Sequence, residues 1–473
     1  MKPRILAIVA LALVAGAYLR FANLGRRELS DDEAASWASA EAPTLAVVVR
    51  RELRLQVGKL PIHDVMLHEW MDAFGESVAA MRSLSAALGT LGILAMFFAA
   101  KETLLTSPGE NRFSGNEVAM AAGLSAMLLA VSLVTIKYSR EARMYSLLPL
   151  LAMIQVGLFL RSLKAPRSAQ LVALALATAA MVATNFLGAL LPASEVAWLC
   201  VRPALGESRP RGARQWLEST RPGWPGVAAM TAAALIIAPL LPAALLKGEK
   251  SVSAGGMRWL KMPALWEPLA FFNKATGTFA FPVLAALAAW AVWRGWRRGA
   301  KGAIGFALVW MWIPPIALML LSYLWRPVFL ERYIVYAFPP FFLLAALGIA
   351  EIEGARMRAL AAALVIALSL GHVWEHSRKP RDVLWREASS AALSNLKPGQ
   401  TMTVVPAYAI DVVRYYLEPA ARSRVVRYKT PVAADAAIVL LRDRGVARRT
   451  SAEARARFPK RIAAFRGVTV RAR

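Results

Sequence analysis

The chain has 473 residues, 58% of them hydrophobic, and a mean hydropathy of +0.46. That composition excludes an ordinary soluble globule, because apolar runs recur at close to the roughly 20 residues that cross a bilayer core. The formal charge of +27 arises from 57 Lys and Arg against 30 Asp and Glu. Much of the excess falls in short loops between apolar runs, where basic residues set orientation, and this argues against a nucleic-acid partner. The single cysteine, Cys200, excludes an intrachain disulfide and a Cys-based metal site.

In chain order, Lys2 and Arg4 precede the first apolar run (about 5–22), so the N-terminus is expected in the cytoplasm. The start also fits a signal-peptide pattern, with Ala15-Gly16-Ala17 as its cleavage site. The run continues to Phe21, which favours an uncleaved span. A polar stretch (23–77) follows outside. Its segment "EAASWASAEAPTLAVVVRRELRLQ" has helical amphipathic spacing and is predicted to lie along the membrane surface; Pro61 opens a second such helix, "PIHDVMLHEWMDAFG". Further spans are expected at 78–101, 117–136 and 145–160. Two more share 169–201, with a turn near Thr184 to Phe186. The last five fall at 225–246, 277–293, 303–324, 334–350 and 359–374. With eleven spans, the basic loops at 161–168, 202–221, 294–301 and 355–358 all face the cytoplasm. From about Glu375 the pattern changes. "DVLWREASSAALSNL" reads as a helix, "QTMTVVPA" as a strand, "AIDVVRYYL" as a helix and "AAIVLLRD" as a strand. The expected fold is therefore an α-helical polytopic membrane domain (1–374) with outer surface helices, followed by a small extracytoplasmic α/β domain (375–473).

The polar residues of the outer loops form the candidate site. The first loop holds Asp31, Asp32, Glu33 and Lys59, with Arg82 at the top of the second span. The next holds Lys137, Tyr138, Arg140, Glu141, Arg143 and Tyr145. Later loops supply Lys247, Lys250, Arg258, Lys261, Lys274, Arg326, Glu331, Arg332 and Tyr333. A carboxylate can serve as general base, and cations can hold a phosphate leaving group. Each feature also has a plainer use: solvated loop acids, a snorkelling Arg82, or a surface pair of Glu141 with Arg143. Glu195 stands inside an apolar run and is a candidate on that ground. His372 and His376 share a helix face but form an incomplete metal set; His63 and His68 lie five apart on a surface helix.

Several ordered motifs carry a resemblance. "RFANLGRRELSDDEAASWASA" follows the first span, and "LPIHDVMLHEWMDAFGESVAAMRSLSAALGTLGIL" leads into the second. "YSREARMYSLL" forms the second outer loop, "PVFLERYIVYAFPPFFLLAALGI" leads into a late span, and "LWREASSAALSNLKPGQTMTVVPA" opens the outer domain. As a set, over nearly the whole chain, they resemble the GT-C superfamily of integral-membrane glycosyltransferases, of the protein O-mannosyltransferase and lipid A aminoarabinose-transferase type. The resemblance implies inverting transfer of a sugar from a polyprenyl-phosphate carrier to a hydroxyl acceptor, outside the cytoplasmic membrane of a bacterium. It implies catalytic roles for Asp32 and Glu33. It implies donor-phosphate roles for Arg82, Lys59, Arg143, Arg332 and Tyr333, with Glu141, Tyr145 and Arg258 as further site candidates. No cofactor is required by this reading, or else a divalent metal, with Asp32 and Glu141 as its candidate ligands. The chain departs from the family at Lys59, one residue further from Pro61 than the usual lysine, and at His63-Asp64, where members carry Tyr-Tyr. Asp31 stands where members carry a bulky residue. The other readings are a lipid or sugar transporter, which needs mid-span polar residues and usually repeats, and a non-catalytic scaffold with an outer sensing domain.

Overall fold

The computed structural model describes residues 2–55, 58–106, 113–205, 210, 212–240, 260–378, 383–428 and 435–473. By internal contacts the chain forms two compact units. The first comprises Met1–Ala22, Val49–His63 and Arg82–Arg378; the second comprises Asn23–Val48, Asp64–Met81 and Lys379–Arg473.

Over their described residues, the eleven apolar runs are largely helical. The helices are Pro3–Phe21, Val78–Leu104, Gly115–Val131 with Leu133–Ser139, Leu147–Ser162, Ser168–Thr184, Leu190–Leu205, Trp224–Ile237, Ala280–Arg297, Lys301–Leu324, Pro339–Ala350 and Ala355–Arg378. Among the described residues, five helical stretches are long and apolar enough to cross a membrane alone, and two bent pairs bring the number to seven. The helices are apolar on more than one face. In Pro3–Phe21, Ile5, Val9 and Ala12 are buried while Leu6, Leu11 and Val14 are exposed. An all-round apolar surface of this kind suits hydrocarbon rather than water. The chain is a polytopic helical membrane protein with a small sheet near its C-terminus.

One bend departs from the expected span at 117–136, and a second lies where an outer loop is expected to enter the span at 277–293. Gly115–Val131 and Leu133–Ser139 meet at 59°. Breaking the helix at Ser132 strands the carbonyls of Leu129 and Ala130, whose helical donors would lie four residues on. Arg20 takes their place. Its Nη1 donates to Ala130 O (2.9 Å) and its Nη2 to Leu129 O (3.3 Å) and Thr135 Oγ1 (3.1 Å). Gly89 makes room for this arrangement, since a Cβ there would fall 1.9 Å from Ser139 Oγ. The second bend, 112°, joins Glu267–Thr276 to Ala280–Arg297. Gly277 turns it with φ +92°, and a Cβ there would also strike the His372 ring at 2.5 Å. His372 is thus packed against a turn.

In the second unit, five strands form one sheet in the order β2-β1-β3-β5-β4: β1 (Met402–Val405), β2 (Val425–Arg427), β3 (Ile438–Arg442), β4 (Lys460–Phe465) and β5 (Val468–Ala472). β1 runs parallel to β2 and β3, while β5 runs antiparallel to β3 and β4. Val405, Val439, Leu441, Ala454 and Phe458 make a buried cluster beneath it. The helices Trp385–Ser394 and Ile410–Tyr415 form where the sequence predicts them, as do β1 and β3.

One surface helix is corrected. The amphipathic stretch after the acids is two helices, Asp31–Ala40 and Leu45–Leu55. Pro43 lacks the N–H that a continuous helix would need and crowds the preceding turn. Thr44 O then accepts from Val47 N to begin the second helix.

Candidate active site

The sequence puts three acids together, and the second unit gives each a different setting. Ser30 caps the helix Asp31–Ala40. Its Oγ accepts from Glu33 N (3.3 Å), and its own N and Oγ donate to Glu33 Oε2 (both 3.0 Å). This is a capping box, and it draws Glu33 inward to 2% exposure. Asp31 is not the solvated neighbour that loop statistics suggest. Its side chain is 17% exposed and ion-paired with Arg442. Burial raises its carboxyl above the usual range, against the opposing charge of Arg442. Asp32, between them, is exposed. All three acids lie in the first turn, where the helix dipole favours negative charge.

The rest of this helix is fastened within the same unit. Trp37 Nε1 donates to Glu76 Oε2 (3.2 Å), and its ring meets Tyr415 edge-on at 5.2 Å. The Arg422 guanidinium lies over the Trp37 ring at 4.8 Å and pairs with Glu41. Before the helix, Glu28 accepts from the backbone N–H groups of Trp385 (2.6 Å) and Arg386 (3.1 Å), and Tyr416 Oη accepts from Leu29 N (2.8 Å). Burial raises the Glu28 carboxyl.

The candidate cations lie in the first unit. Arg82 is buried near the start of Val78–Leu104. One turn on, Ser85 Oγ donates to Arg143 O (3.1 Å), seating the second outer loop against this helix. The guanidinium groups of Arg143 and Arg332 each lie 5.7 Å from the buried Tyr145 ring. Arg332 is also 5.6 Å from the ring of Tyr333, and Tyr138 stands 5.2 Å from Tyr145. Glu141 is half-buried, and with Glu331 and Arg332 it is close enough for its charge to act on Tyr138. Two loops almost 190 residues apart in sequence (143 and 332) thus converge on one aromatic ring.

Lys59 belongs to the same unit. It forms an ion pair with Glu52 at 3.2 Å, the two side chains being 3% and 2% exposed. Its segment is docked by Leu60 N donating to Ala183 O (2.7 Å) and Phe186 N donating to Gly58 O (2.9 Å). Glu195, the mid-span acid, accepts from Gln155 Nε2 at 2.7 Å. Arg258, Lys247 and Lys250 lie outside the described residues.

Residue-by-residue reading misses Arg442, Tyr408 and the structural use of Glu33. The Ser30-x-x-Glu33 spacing is itself a capping-box signature. Arg442 ends a predicted strand, but nothing in its own neighbourhood points to Asp31, 411 residues earlier. Among the described residues, no group of three or more His, Cys, Asp or Glu side chains comes together to hold a metal ion.

No family model and no curated protein sequence matches the chain. Solved structures do. The chain is similar to ArnT from Cupriavidus metallidurans bound to undecaprenyl phosphate, at 14% identity and a TM-score of 0.61, covering 99% of this chain and 98% of that one. It is similar to the oligosaccharyltransferase AglB from Archaeoglobus fulgidus in complex with an inhibitory peptide and a dolichol-phosphate. There the identity is 11% and the TM-score 0.57, over 93% of this chain and 69% of that one. The Archaeoglobus fulgidus oligosaccharyltransferase in complex with Zn and sulfate matches at 11% identity and a TM-score of 0.56, over 92% and 68%. The chain shares the fold of these ArnT and oligosaccharyltransferase structures. The likeness to ArnT runs from end to end and takes in the C-terminal sheet.

Proposed function

We propose that the protein is an inverting glycosyltransferase, moving a sugar from a polyprenyl-phosphate carrier to a hydroxyl acceptor. The observation that carries this reading is the end-to-end fold likeness to ArnT, whose structure holds undecaprenyl phosphate. The exposed Asp32 on a firmly capped helix turn supports it. So do the cations around Tyr145.

In this mechanism Asp32 accepts the proton of the acceptor hydroxyl as its oxygen attacks the anomeric carbon, on the face opposite the phosphate. The new glycosidic bond forms while the bond from that carbon to the phosphate oxygen breaks. The polyprenyl phosphate leaves with its negative charge, and the sugar's configuration inverts. Arg82, Arg143 and Arg332 balance that charge, and Tyr145 and Tyr333 hold the guanidinium groups in place. Glu33 acts through the cap that fixes the turn. Lys59 contributes through its pair with Glu52. The protein sits in a bacterial cytoplasmic membrane with its N-terminus inside and the α/β sheet outside.

The test is direct. The purified protein is given polyprenyl-phosphate-linked sugars and hydroxyl acceptors. Formation of an inverted glycoside with release of free carrier phosphate is expected. Carrier translocation without cleavage of the sugar–phosphate bond would point to a transporter instead.

A further inference from the structure

The sheet supplies a side chain to the acidic turn that its own fold does not need. β3 is buried along Ile438 to Leu441 and ends at Arg442, which is half-exposed. The strand end is held firmly: Asp443 N donates to Gly467 O (3.0 Å), and Thr469 Oγ1 donates to Asp443 Oδ1 (3.0 Å). From this base the Arg442 guanidinium pairs with Asp31 Oδ2, and its charge acts on the nearby Tyr408. Tyr408 is 56% exposed and lies within the electrostatic reach of both Asp31 and Asp32. The other Asp31 oxygen, Oδ1, is shielded from solvent, with no hydrogen-bond partner among the described residues. A carboxylate so placed is costly unless a cation compensates it.

We infer that Arg442 is a positioning residue for the transfer reaction: it pins Asp31 and so fixes the helix turn that presents Asp32. This rests on the reading of Asp32 as the base. Two physical effects are involved. The ion pair removes a net negative charge one residue from Asp32, where like charges repel. It also ties the first helical turn to a rigid strand, so that the Asp32 carboxylate is held in one orientation. A displacement of about 1 Å at a reacting group can cost about a hundredfold in rate. Without Arg442, Asp31 is left either as an uncompensated partly buried charge or as a neutral acid. In both cases the turn loses its tie to the strand.

The experiment compares R442M, R442K and the double variant D31N/R442M with the wild type. Three quantities are read: kcat, donor KM, and amide hydrogen exchange over residues 31–40. The expected result for R442M is a fall in kcat of about a hundredfold, with donor KM little changed and faster exchange in the first turn. R442K, which keeps the charge, recovers most of the loss. D31N/R442M recovers part of it by removing the stranded carboxylate. Wild-type kcat and exchange in R442M overturn the inference, as does a loss that neither R442K nor the double variant relieves. D32N, run alongside, separates the two readings. Full transfer by D32N removes the base assignment itself, whereas an inert D32N beside a fully active R442M removes only the role of Arg442.

Discussion

The guanidinium of Arg332 lies 5.7 Å from the centre of the Tyr145 ring, which Arg143 approaches from its own loop at the same distance. Cation–ring contacts of this kind contribute about 0.5–2 kcal/mol each. Replacing Tyr145 with Ala releases both arginines. Under the proposed function, loss of one such contact should raise donor KM roughly two- to thirtyfold, and loss of both should raise it further. Tyr145→Phe keeps the ring and should stay near wild type. Steady-state kinetics with varied donor checks both variants. A Phe variant as poor as the Ala variant would assign the effect to the hydroxyl instead.

The capping box separates structure from charge at Glu33. Ser30→Ala should lower stability by about 1 kcal/mol, measured by thermal or chemical unfolding. Glu33→Gln preserves the hydrogen bond to the cap and removes the charge. It should retain most of the transfer rate, while Glu33→Ala loses both stability and rate. An inert but well-folded Glu33→Gln would show that the carboxylate's charge is used in the reaction.

Lys59 and Glu52 form a buried pair, so single and double substitutions should behave differently. Lys59→Met leaves Glu52 as an uncompensated buried charge and should cost about 3–5 kcal/mol. Lys59→Met with Glu52→Leu should recover most of that loss, as seen in the detergent-solubilised melting temperature. A double variant that is stable yet fails to bind donor would return Lys59 to the phosphate.

Asp31 makes a pH prediction with a definite sign. Its folded carboxyl is held above its ordinary value by burial, so the folded state binds that proton more tightly than the unfolded state does. The corresponding stability is present below the unfolded value and is lost as pH rises through the folded one. Melting temperatures followed from acid towards neutral pH should therefore fall further in the wild type than in Asp31→Asn. Arg442→Met removes the opposing charge and should carry the decline to higher pH.

Local patterns and tertiary ones were not equally readable. Apolar runs announce spans because hydrocarbon demands a fixed length of apolar chain, and the described residues of the eleven runs are largely helical. "QTMTVVPA" and "AAIVLLRD" announce β1 and β3 through β-branched residues at strand length. The pair β4 and β5 escaped because "KRIAAFRGVTVRA" is too basic and too interrupted to stand out by composition. The bend at Ser132 escaped because its cause is elsewhere: Arg20, more than a hundred residues earlier, satisfies the carbonyls that the bend exposes. Asp31 likewise needed Arg442 to explain it. In each case a partner distant in sequence made the difference.

The central claim is that Asp32 is the base that activates the acceptor. Asp32→Asn keeps the side chain's size and removes its capacity to take a proton. The decisive measurement is single-turnover sugar transfer by the purified Asp32→Asn protein, with binding of the polyprenyl-phosphate donor measured on the same preparation. The account predicts donor binding like that of the wild type and transfer slower by at least about a hundredfold. Transfer at the wild-type rate would contradict it.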